Sequence, residues 1–138
     1  TINIDETVEK AAAAMLDKKI GGLPVVDDDH KVVGIITDTD IFKLLVNITV
    51  VYQDGVQMGF KLADTPGALK HLLNDLAQEG ARILSILSSY DQPEPGFRHV
   101  YIRIHNLDDD VASRLKTILA TKYNLLFWVK DNFEPKIT

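Results

Sequence analysis

The fold of this chain is constrained most by the order of its hydrophobic patterns. Along the sequence, segments with the alternating spacing of strands and segments with the spacing of helices follow one another in a definite order. Val56 to Leu62 alternates apolar residues with others, which predicts a strand. A helical stripe, two further strand-like runs, a second helical stripe and a last apolar run at Leu125–Val129 follow. This order, β-α-β-β-α-β, predicts an antiparallel sheet with both helices packed on one of its faces, the ferredoxin-like arrangement.

The first helix of that set has recognisable ends in the sequence. Thr65 is a suitable N-cap, and Pro66 fits the first helical position, where its missing N–H costs nothing. Gly80 follows the apolar stripe and predicts the C-terminal end of the helix. The stripe that we expect to be buried consists of Leu69, Leu72, Leu73 and Leu76.

The first fifty residues follow a different order. Thr7 is a suitable N-cap for a helix with one apolar stripe, from Val8 to Leu16, which Gly21 and Gly22 are expected to end. Two short apolar strands and a helix from about Thr39 follow, which gives β-α-β-β-α when a strand at Ile2–Ile4 is included. The run Gln53-Asp54-Gly55 marks the boundary, so we predict an α+β chain with domains at residues 1–50 and 51–138.

Composition excludes several classes of function. The formal net charge is -5, and no Lys/Arg cluster exceeds the pair Lys18–Lys19, which argues against nucleic acid as a partner. No apolar run approaches the roughly 18–20 residues that span a bilayer, so no membrane partner is expected. The absence of cysteine excludes disulfides and thiolate chemistry and suits the cytoplasm, which we take as the default location.

No arrangement of residues suggests an active site or a metal site. His99 and His105 share a strand face but lie six residues apart, roughly 20 Å along a strand, which is too far for one metal ion. The two Asp triplets, at 27–29 and 108–110, lack the spacing of a calcium loop and read as a turn and a helix start. We therefore expect no catalytic residues, no metal and no required cofactor.

The first half carries a family resemblance in two separated runs. Lys19 to Asp27 reads Lys-Ile-Gly-Gly-Leu-Pro-Val-Val-Asp, and Gly34 to Asp40 reads Gly-Ile-Ile-Thr-Asp-Thr-Asp. Together they resemble a CBS (cystathionine β-synthase-type) motif covering residues 2–48. CBS motifs work in pairs, and the resemblance implies an adenine nucleotide such as AMP or ATP bound between two of them.

The resemblance also implies which residues meet the nucleotide. Thr37 would contact a phosphate and Asp40 the ribose hydroxyls, while the backbone around Ile20–Gly21 and Pro24 would flank the base. The residues agree independently, because a helix N-terminus favours an anion. The alternative from the residues is that Thr37 or Asp38 only caps the helix and Asp40 only complements its dipole.

The sequence contains only one such motif. Fewer than fifty residues rarely bury an adequate core alone. We therefore expect the motif to pair with another copy, supplied by residues that precede Thr1 or by a second chain.

The second half carries a second resemblance. Phe60 to Leu69 reads Phe-Lys-Leu-Ala-Asp-Thr-Pro-Gly-Ala-Leu, which resembles the start of an ACT domain, and the resemblance covers residues 56–130. ACT domains pair side by side, and many bind an amino acid between this loop and a neighbour's second strand. The implied amino-acid site consists of Asp64, Gly67, Ala68, Leu69 and, across the interface, Ile83. Arg82 departs from the Asn that amino-acid-binding members often carry.

A CBS motif that leads into an ACT domain resembles the regulatory proteins of the acetoin-utilisation type, in which two CBS motifs precede one ACT domain; here the first motif is not present. The resemblance implies a non-catalytic sensor that forms a homodimer or a higher homo-oligomer and responds to small molecules. The alternative function is a structural dimerisation module that binds no ligand. A nucleotide titration would separate the two.

Overall fold

A computed structural model of the chain describes residues 1–131; residues 132–138, which the sequence analysis assigns to the second domain, lie outside the described residues. The structure divides into two compact units, residues 1–47 and 48–138, three residues before the boundary predicted from the sequence. Within the described residues, no helix is both long enough and apolar enough to cross a membrane.

The first unit contains a three-stranded sheet and two helices in the predicted order β-α-β-β-α. Strand β1 pairs parallel with β2, and β2 pairs antiparallel with β3, so the sheet order is β1-β2-β3. The elements are β1 (Ile2–Asn3), α1 (Val8–Lys18), β2 (Gly22–Val26), β3 (Val32–Thr37) and α2 (Asp38–Thr49).

Helix α1 begins as predicted and ends differently. Thr7 is the N-cap, and its hydroxyl oxygen accepts a hydrogen bond from the Lys10 amide at 3.3 Å. The glycines predicted to end the helix do not end it. Lys19 is the C-cap, with a left-handed φ of 53°, and the following Ile20 amide donates to the Met15 carbonyl at 3.0 Å. These bonds satisfy the last carbonyls before the chain reaches Gly21.

The core of the first unit is small. Ala11, Met15 and Leu23 form its buried cluster, with Ile36 among the residues packed against it. The apolar stripe predicted for α1 is therefore only partly buried, because Leu16 is 79% exposed. Helix α2 buries none of its described side chains, although its sequence is strongly apolar.

The second unit has the predicted β-α-β-β-α-β order. Its four strands pair antiparallel in the order β5-β6-β4-β7, with β5 and β7 at the edges, which is the ferredoxin-like topology. The predicted α+β fold class is thus confirmed. The elements are β4 (Gly55–Ala63), α3 (Ala68–Gln78), β5 (Ile83–Ser89), β6 (Phe97–His105), α4 (Asp109–Lys122) and β7 (Asn124–Asp131).

One face of this sheet and the two helices enclose the core of the second unit. Alternate residues of β4 and β6 point into it, and register pairs Phe60 with Val100 and Met58 with Ile102. The core contains eleven buried apolar residues: Val56, Met58, Phe60, Leu62, Leu72, Leu76, Val100, Ile102, Ile104, Leu115 and Leu119. The stripe predicted for α3 supplies two of them.

The start of α3 corrects the sequence prediction. Thr65 is not the N-cap and Pro66 is not its first residue; instead the Ala68 amide donates to the Thr65 carbonyl at 3.3 Å, which closes a turn before the helix. Gly67 is the N-cap, with a left-handed φ of 88° that a side chain would disfavour. The C-terminal end is as predicted, because Gly80, with φ of 76°, follows the C-cap.

Candidate functional sites

The predicted nucleotide residues of the first unit gather at one end of its sheet. Gly22 at the start of β2 pairs with Thr37 at the end of β3, and the Asp38 amide donates to the Gly21 carbonyl at 3.0 Å. Ile20 immediately precedes this contact. Pro24 lies two residues further along β2, paired with Ile35, so it is beside the cluster and not within it.

Thr37 and Asp40 bond to each other at the first turn of α2. The Thr37 amide and hydroxyl both donate to Asp40 Oδ2 at 2.9 Å, and the Asp40 amide donates back to the Thr37 hydroxyl oxygen at 3.3 Å. This reciprocal arrangement is a capping box with Asp at its third position. Hydrogen bonds from the Thr37 amide first, and from its hydroxyl second, hold the pKa of Asp40 below its usual range. Asp40 is therefore a charged acceptor at neutral pH.

An apolar groove of about 320 Å³ opens beside these residues in the first unit. Lys19 and Asp38 supply its polar atoms, and a Cβ at Gly21 would lie 3.2 Å from Asp38 Oδ2. The sequence analysis missed this groove because its walls come from two helices whose packing the periodicity does not specify. Its other lining residues are Ala12, Met15, Leu16, Ile20, Ile41 and Phe42.

The predicted amino-acid residues of the second unit fall into two places. Asp64 and Gly67–Leu69 lie together at the connection from β4 to α3, where the Asp64 amide donates to the Gly96 carbonyl at 2.9 Å. Ile83 begins β5 and pairs with Ile104, whereas the other end of β5 approaches Asp64. Six residue steps separate Ile83 from Ser89, about 20 Å. Ile83 of the same chain is therefore not part of the Asp64 cluster.

Two residues that the sequence analysis missed lie near Asp64. The Tyr90 hydroxyl donates to Asp64 Oδ1 at 3.1 Å, and Arg98 Nη1 donates to the Ser88 hydroxyl at 3.5 Å. Arg98 could have been found from the sequence, because it lies on the same face of β6 as Val100, Ile102 and Ile104, which are buried and apolar. A charged residue in such a row indicates a polar pocket or the edge of the core.

In residues 1–131 no three His, Asp or Glu side chains lie close enough together to hold a metal ion.

Residues 1–47 match the model of the CBS domain family. Over 45 residues the chain is 47% identical to a protein named homoserine O-acetyltransferase from Methanohalobium evestigatum and 47% identical to an uncharacterised protein of Methanocaldococcus jannaschii. Each match covers 33% of this chain, but only 9% and 15% of those proteins. The chain therefore spans a small part of the curated relatives it matches.

Among solved structures, the chain is similar to the ligand-free regulatory subunit of aspartate kinase from Thermus thermophilus. The TM-score is 0.42 with 19% identity, over 55% of this chain and 50% of that one. It is also similar to prephenate dehydratase from Streptococcus mutans, with a TM-score of 0.40 and 15% identity over 88% of this chain and 80% of that one.

The first unit combines the family match with the β-α-β-β-α order and the Thr37–Asp40 pair. The second unit has the ferredoxin-like topology, and its Asp64–Leu69 motif lies at the connection where the ACT resemblance places it. Residues 1–47 therefore match the CBS domain family, and the second unit is a ferredoxin-like unit, called ACT-type below for the resemblance of its Asp64–Leu69 motif.

Proposed function

We propose that this chain is a non-catalytic regulatory module that binds an adenine nucleotide through its CBS unit and an amino acid through its ACT-type unit. The observation that carries the proposal is the position of Thr37 and Asp40 beside Ile20 and Gly21, at the start of α2. This places a charged carboxylate, a hydroxyl and a helix N-terminus at one end of the sheet, next to apolar surface.

These groups match the parts of a nucleotide. The Asp40 carboxylate, held ionised by Thr37, is an acceptor for the hydroxyl groups of a ribose. The dipole at the start of α2 favours a phosphate, and the Thr37 hydroxyl lies at the same turn. The exposed side chain of Ile20 supplies an apolar surface for the base. Binding would replace the Thr37–Asp40 bonds with bonds to the ligand.

The exposed apolar surface of the CBS unit supports a partner of the same kind. Val33 and Ile35 of β3 are 52% and 64% exposed, and Phe42 of α2 is 64% exposed. Scattered exposed apolar residues are ordinary, but a small unit that exposes a strand face and most of a helix gains stability by covering them. A second CBS motif, from another copy or from the same protein, is the partner we propose. The minimum assembly is then a homodimer or a longer protein with two motifs.

The edge position of β5 supports pairing of the ACT-type unit with a second copy. An unpaired edge strand offers free N–H and C=O groups to another chain. Antiparallel pairing of β5 with its own copy, centred near Ile86, would bring Ile83 of a second copy opposite Ser89 and next to Tyr90, whose hydroxyl donates to Asp64. The Ile83 position implied by the ACT resemblance is consistent with this arrangement.

A second candidate, a dimerisation module that binds no ligand, is favoured by one observation. Thr37 and Asp40 satisfy each other fully as a capping box, so they have a structural role without any nucleotide. Such a module would use the same exposed apolar surfaces. The two functions differ in whether Asp40 contributes to ligand affinity.

Calorimetric titration of AMP and ATP into the full chain and three variants tests this difference. Asp40→Glu keeps a carboxylate at the third position of the capping box and moves it outward, while Asp40→Ala removes it. Both variants are expected to lose about 1.5–3 kcal/mol of binding free energy, because charge-assisted bonds to ribose are lost. Asp29→Asn, in the β2–β3 turn, is the matched control and should bind like the wild type.

Thermal unfolding of the same proteins separates binding from capping. Asp40→Glu should unfold close to the wild type, whereas Asp40→Ala should be destabilised by about 0.5–2 kcal/mol through loss of the cap. If the wild type dimerises but no nucleotide gives a saturable heat, the dimerisation module is correct and the sensor proposal for this unit is wrong. Unchanged affinity in Asp40→Glu and Asp40→Ala would also contradict it.

A further inference from the structure

We propose that Arg98 is the carboxylate-binding residue of the amino-acid site and that Asp64, held by Tyr90, binds the ammonium group. The inference rests on the proposed amino-acid function of the ACT-type unit and adds what that site recognises: the free zwitterion of an α-amino acid. It gives the carboxylate to a side chain on β6, which lies outside the Asp64–Leu69 motif.

The register of the sheet places Arg98 at the end of the core that faces Asp64. Its row on β6 continues through Val100 and Ile102, which are fully buried against the helices, and its partner on β4 is Leu62. Arg98 is therefore on the helix-covered face of the sheet, at the end of the apolar core to which its partner Leu62 belongs. Asp64 follows Leu62 by two residues, so both charged side chains belong to the same end of the unit.

The present bonds of Arg98 leave donors unused. Among the described residues the only hydrogen-bond partner of its side chain is the Ser88 hydroxyl, which accepts from Nη1 at 3.5 Å, the outer limit of a hydrogen bond. Its Nε–H is covered by protein and has no partner among the described residues. An unpaired buried donor is costly, and a guanidinium group pairs best with a planar carboxylate through two parallel bonds. Reorienting Arg98 toward a carboxylate would therefore break one weak hydrogen bond, to Ser88, and form two strong ones to the carboxylate.

Asp64 supplies the opposite charge without neutralising Arg98. In residues 1–131 no ion pair joins the two side chains, and Asp64 instead accepts a hydrogen bond from the Tyr90 hydroxyl at 3.1 Å. Tyr90 is one residue beyond the last β5–β6 pair, Ser89 with His99, so it is at the same end of the sheet as Arg98. An uncoupled carboxylate and guanidinium at one end of a sheet are complementary to a ligand with both an ammonium and a carboxylate group.

The test compares amino acids with their C-terminal amides, which keep the ammonium group and lack the carboxylate. The twenty L-amino acids and their amides are screened against the full chain by thermal shift, and the hits are titrated by calorimetry. Arg98→Gln is expected to lower affinity for the amino acid by about tenfold or more, to a level close to that of the amide. Affinity for the amide should not change. Arg98→Lys, which keeps a charge but not the planar fork, should lie between the two.

Arg114→Gln, the same chemical change on α4, is the control and should bind like the wild type. The melting temperature of each variant without ligand shows whether it is folded. If Arg98→Gln is not folded, Arg98→Lys is the variant whose affinities test the proposal. Two outcomes would contradict the role of Arg98 while leaving the amino-acid function intact. In the first, the wild type binds an amino acid and Arg98→Gln lowers the affinity for the amino acid and for its amide equally. In the second, Arg98→Gln changes neither affinity. If no amino acid binds the wild type, the proposed function of this unit fails and the inference fails with it.

Discussion

The two units of this chain differ in how much apolar surface they bury by themselves. The ACT-type unit encloses eleven buried apolar residues, and both of its helices contribute, through Leu72 and Leu76 in α3 and Leu115 and Leu119 in α4. The CBS unit has a buried cluster of three, and its helix α2 contributes none of its described side chains. Yet both units carry apolar stripes of similar clarity in the sequence.

This difference shows that periodicity identifies a face to be buried but not the molecule that buries it. Burial contributes about 25 cal/mol for each Å² of apolar surface removed from water, so an exposed stripe contributes little until a partner covers it. A unit of fewer than fifty residues is below the size at which a chain usually buries enough surface alone. The ACT-type unit is self-sufficient in this respect, whereas the CBS unit leaves much of its apolar surface exposed.

The largest expected effect comes from the same substitution in the two units. Leu76→Ala removes a side chain with no exposed surface and is expected to destabilise the ACT-type unit by about 2–5 kcal/mol. Leu16→Ala removes a side chain that is 79% exposed and should cost less than about 0.5 kcal/mol in the monomer. Denaturant unfolding is followed by far-ultraviolet circular dichroism for both units and, for the ACT-type unit, by fluorescence of Trp128, the single tryptophan, which packs against its core.

Repeating the measurement at several protein concentrations makes this comparison more specific. Leu16 lines the groove between α1 and α2, so an assembly that fills the groove should make Leu16→Ala more costly as protein concentration rises. Light scattering on the same samples gives the state of association. A cost for Leu16→Ala equal to that of Leu76→Ala in a demonstrated monomer would contradict the difference between the units.

A glycine in one strand of each unit allows a second comparison, in which the expected changes in unfolding free energy are smaller. An added Cβ at Gly59 of β4 would lie 2.3 Å from Phe127 Cε1, and that ring stacks on Tyr101 with centroids 6.1 Å apart. At Gly34 of β3 the same atom would have no neighbour within 4 Å. Gly59→Ala should therefore cost about 1–3 kcal/mol by displacing the ring, and Gly34→Ala should stay within about 0.5 kcal/mol.

Unfolding free energies and the ring-current shifts of the Tyr101 protons measure the two outcomes. Displacement of Phe127 should move the Tyr101 shifts in Gly59→Ala and leave them unchanged in Gly34→Ala. If Gly34→Ala is the more harmful change, the exposed face of β3 is covered in solution, and the unit is already paired under those conditions.

The sequence predicted all eleven elements in their order but not every helix end. The prediction of Thr65 as N-cap was wrong because a turn closed by its carbonyl precedes the helix, and a left-handed Gly67 then begins it. The prediction that Gly21 ends α1 was wrong because Lys19 adopts the left-handed conformation itself. Both outcomes depend on which of several alternative hydrogen bonds forms within a few residues of the helix end. Residue preferences alone do not predict which of these bonds forms.

The candidate sites were predictable where they lie within one short segment. Thr37 and Asp40 are three residues apart, so their contact follows from a helix start alone. Tyr90 meets Asp64 across 26 positions and Arg98 meets Ser88 across ten, and both contacts depend on the register of the sheet. Register is set by the whole pattern of buried residues, so no local motif could have indicated these partners.

The smallest expected effect concerns a partly buried hydrogen bond in the ACT-type unit. The Tyr123 hydroxyl, partly buried beside Phe60, donates to Asp75 Oδ2 at 2.5 Å. Burial first, and then the bond to Asp75, raise the pKa of Tyr123 from its ordinary value of 10.0 to about 12. Tyr123→Phe should lower the stability of the ACT-type unit at neutral pH by about 1 kcal/mol, since it leaves Asp75 without this donor.

The pH dependence distinguishes this bond from simple loss of packing. The folded state holds the Tyr123 proton more tightly than the unfolded state, so its contribution is fully present below about pH 10 and is lost as pH rises from about 10 to about 12. The unfolding free energy of the wild type, followed by Trp128 fluorescence, should therefore fall more steeply over that interval than that of Tyr123→Phe. Tyr101→Phe, the same change on the opposite face of the sheet, should retain the wild-type slope. Equal slopes for wild type and Tyr123→Phe would show that Tyr123 is solvated in solution and that the edge of this core is less closed than its centre.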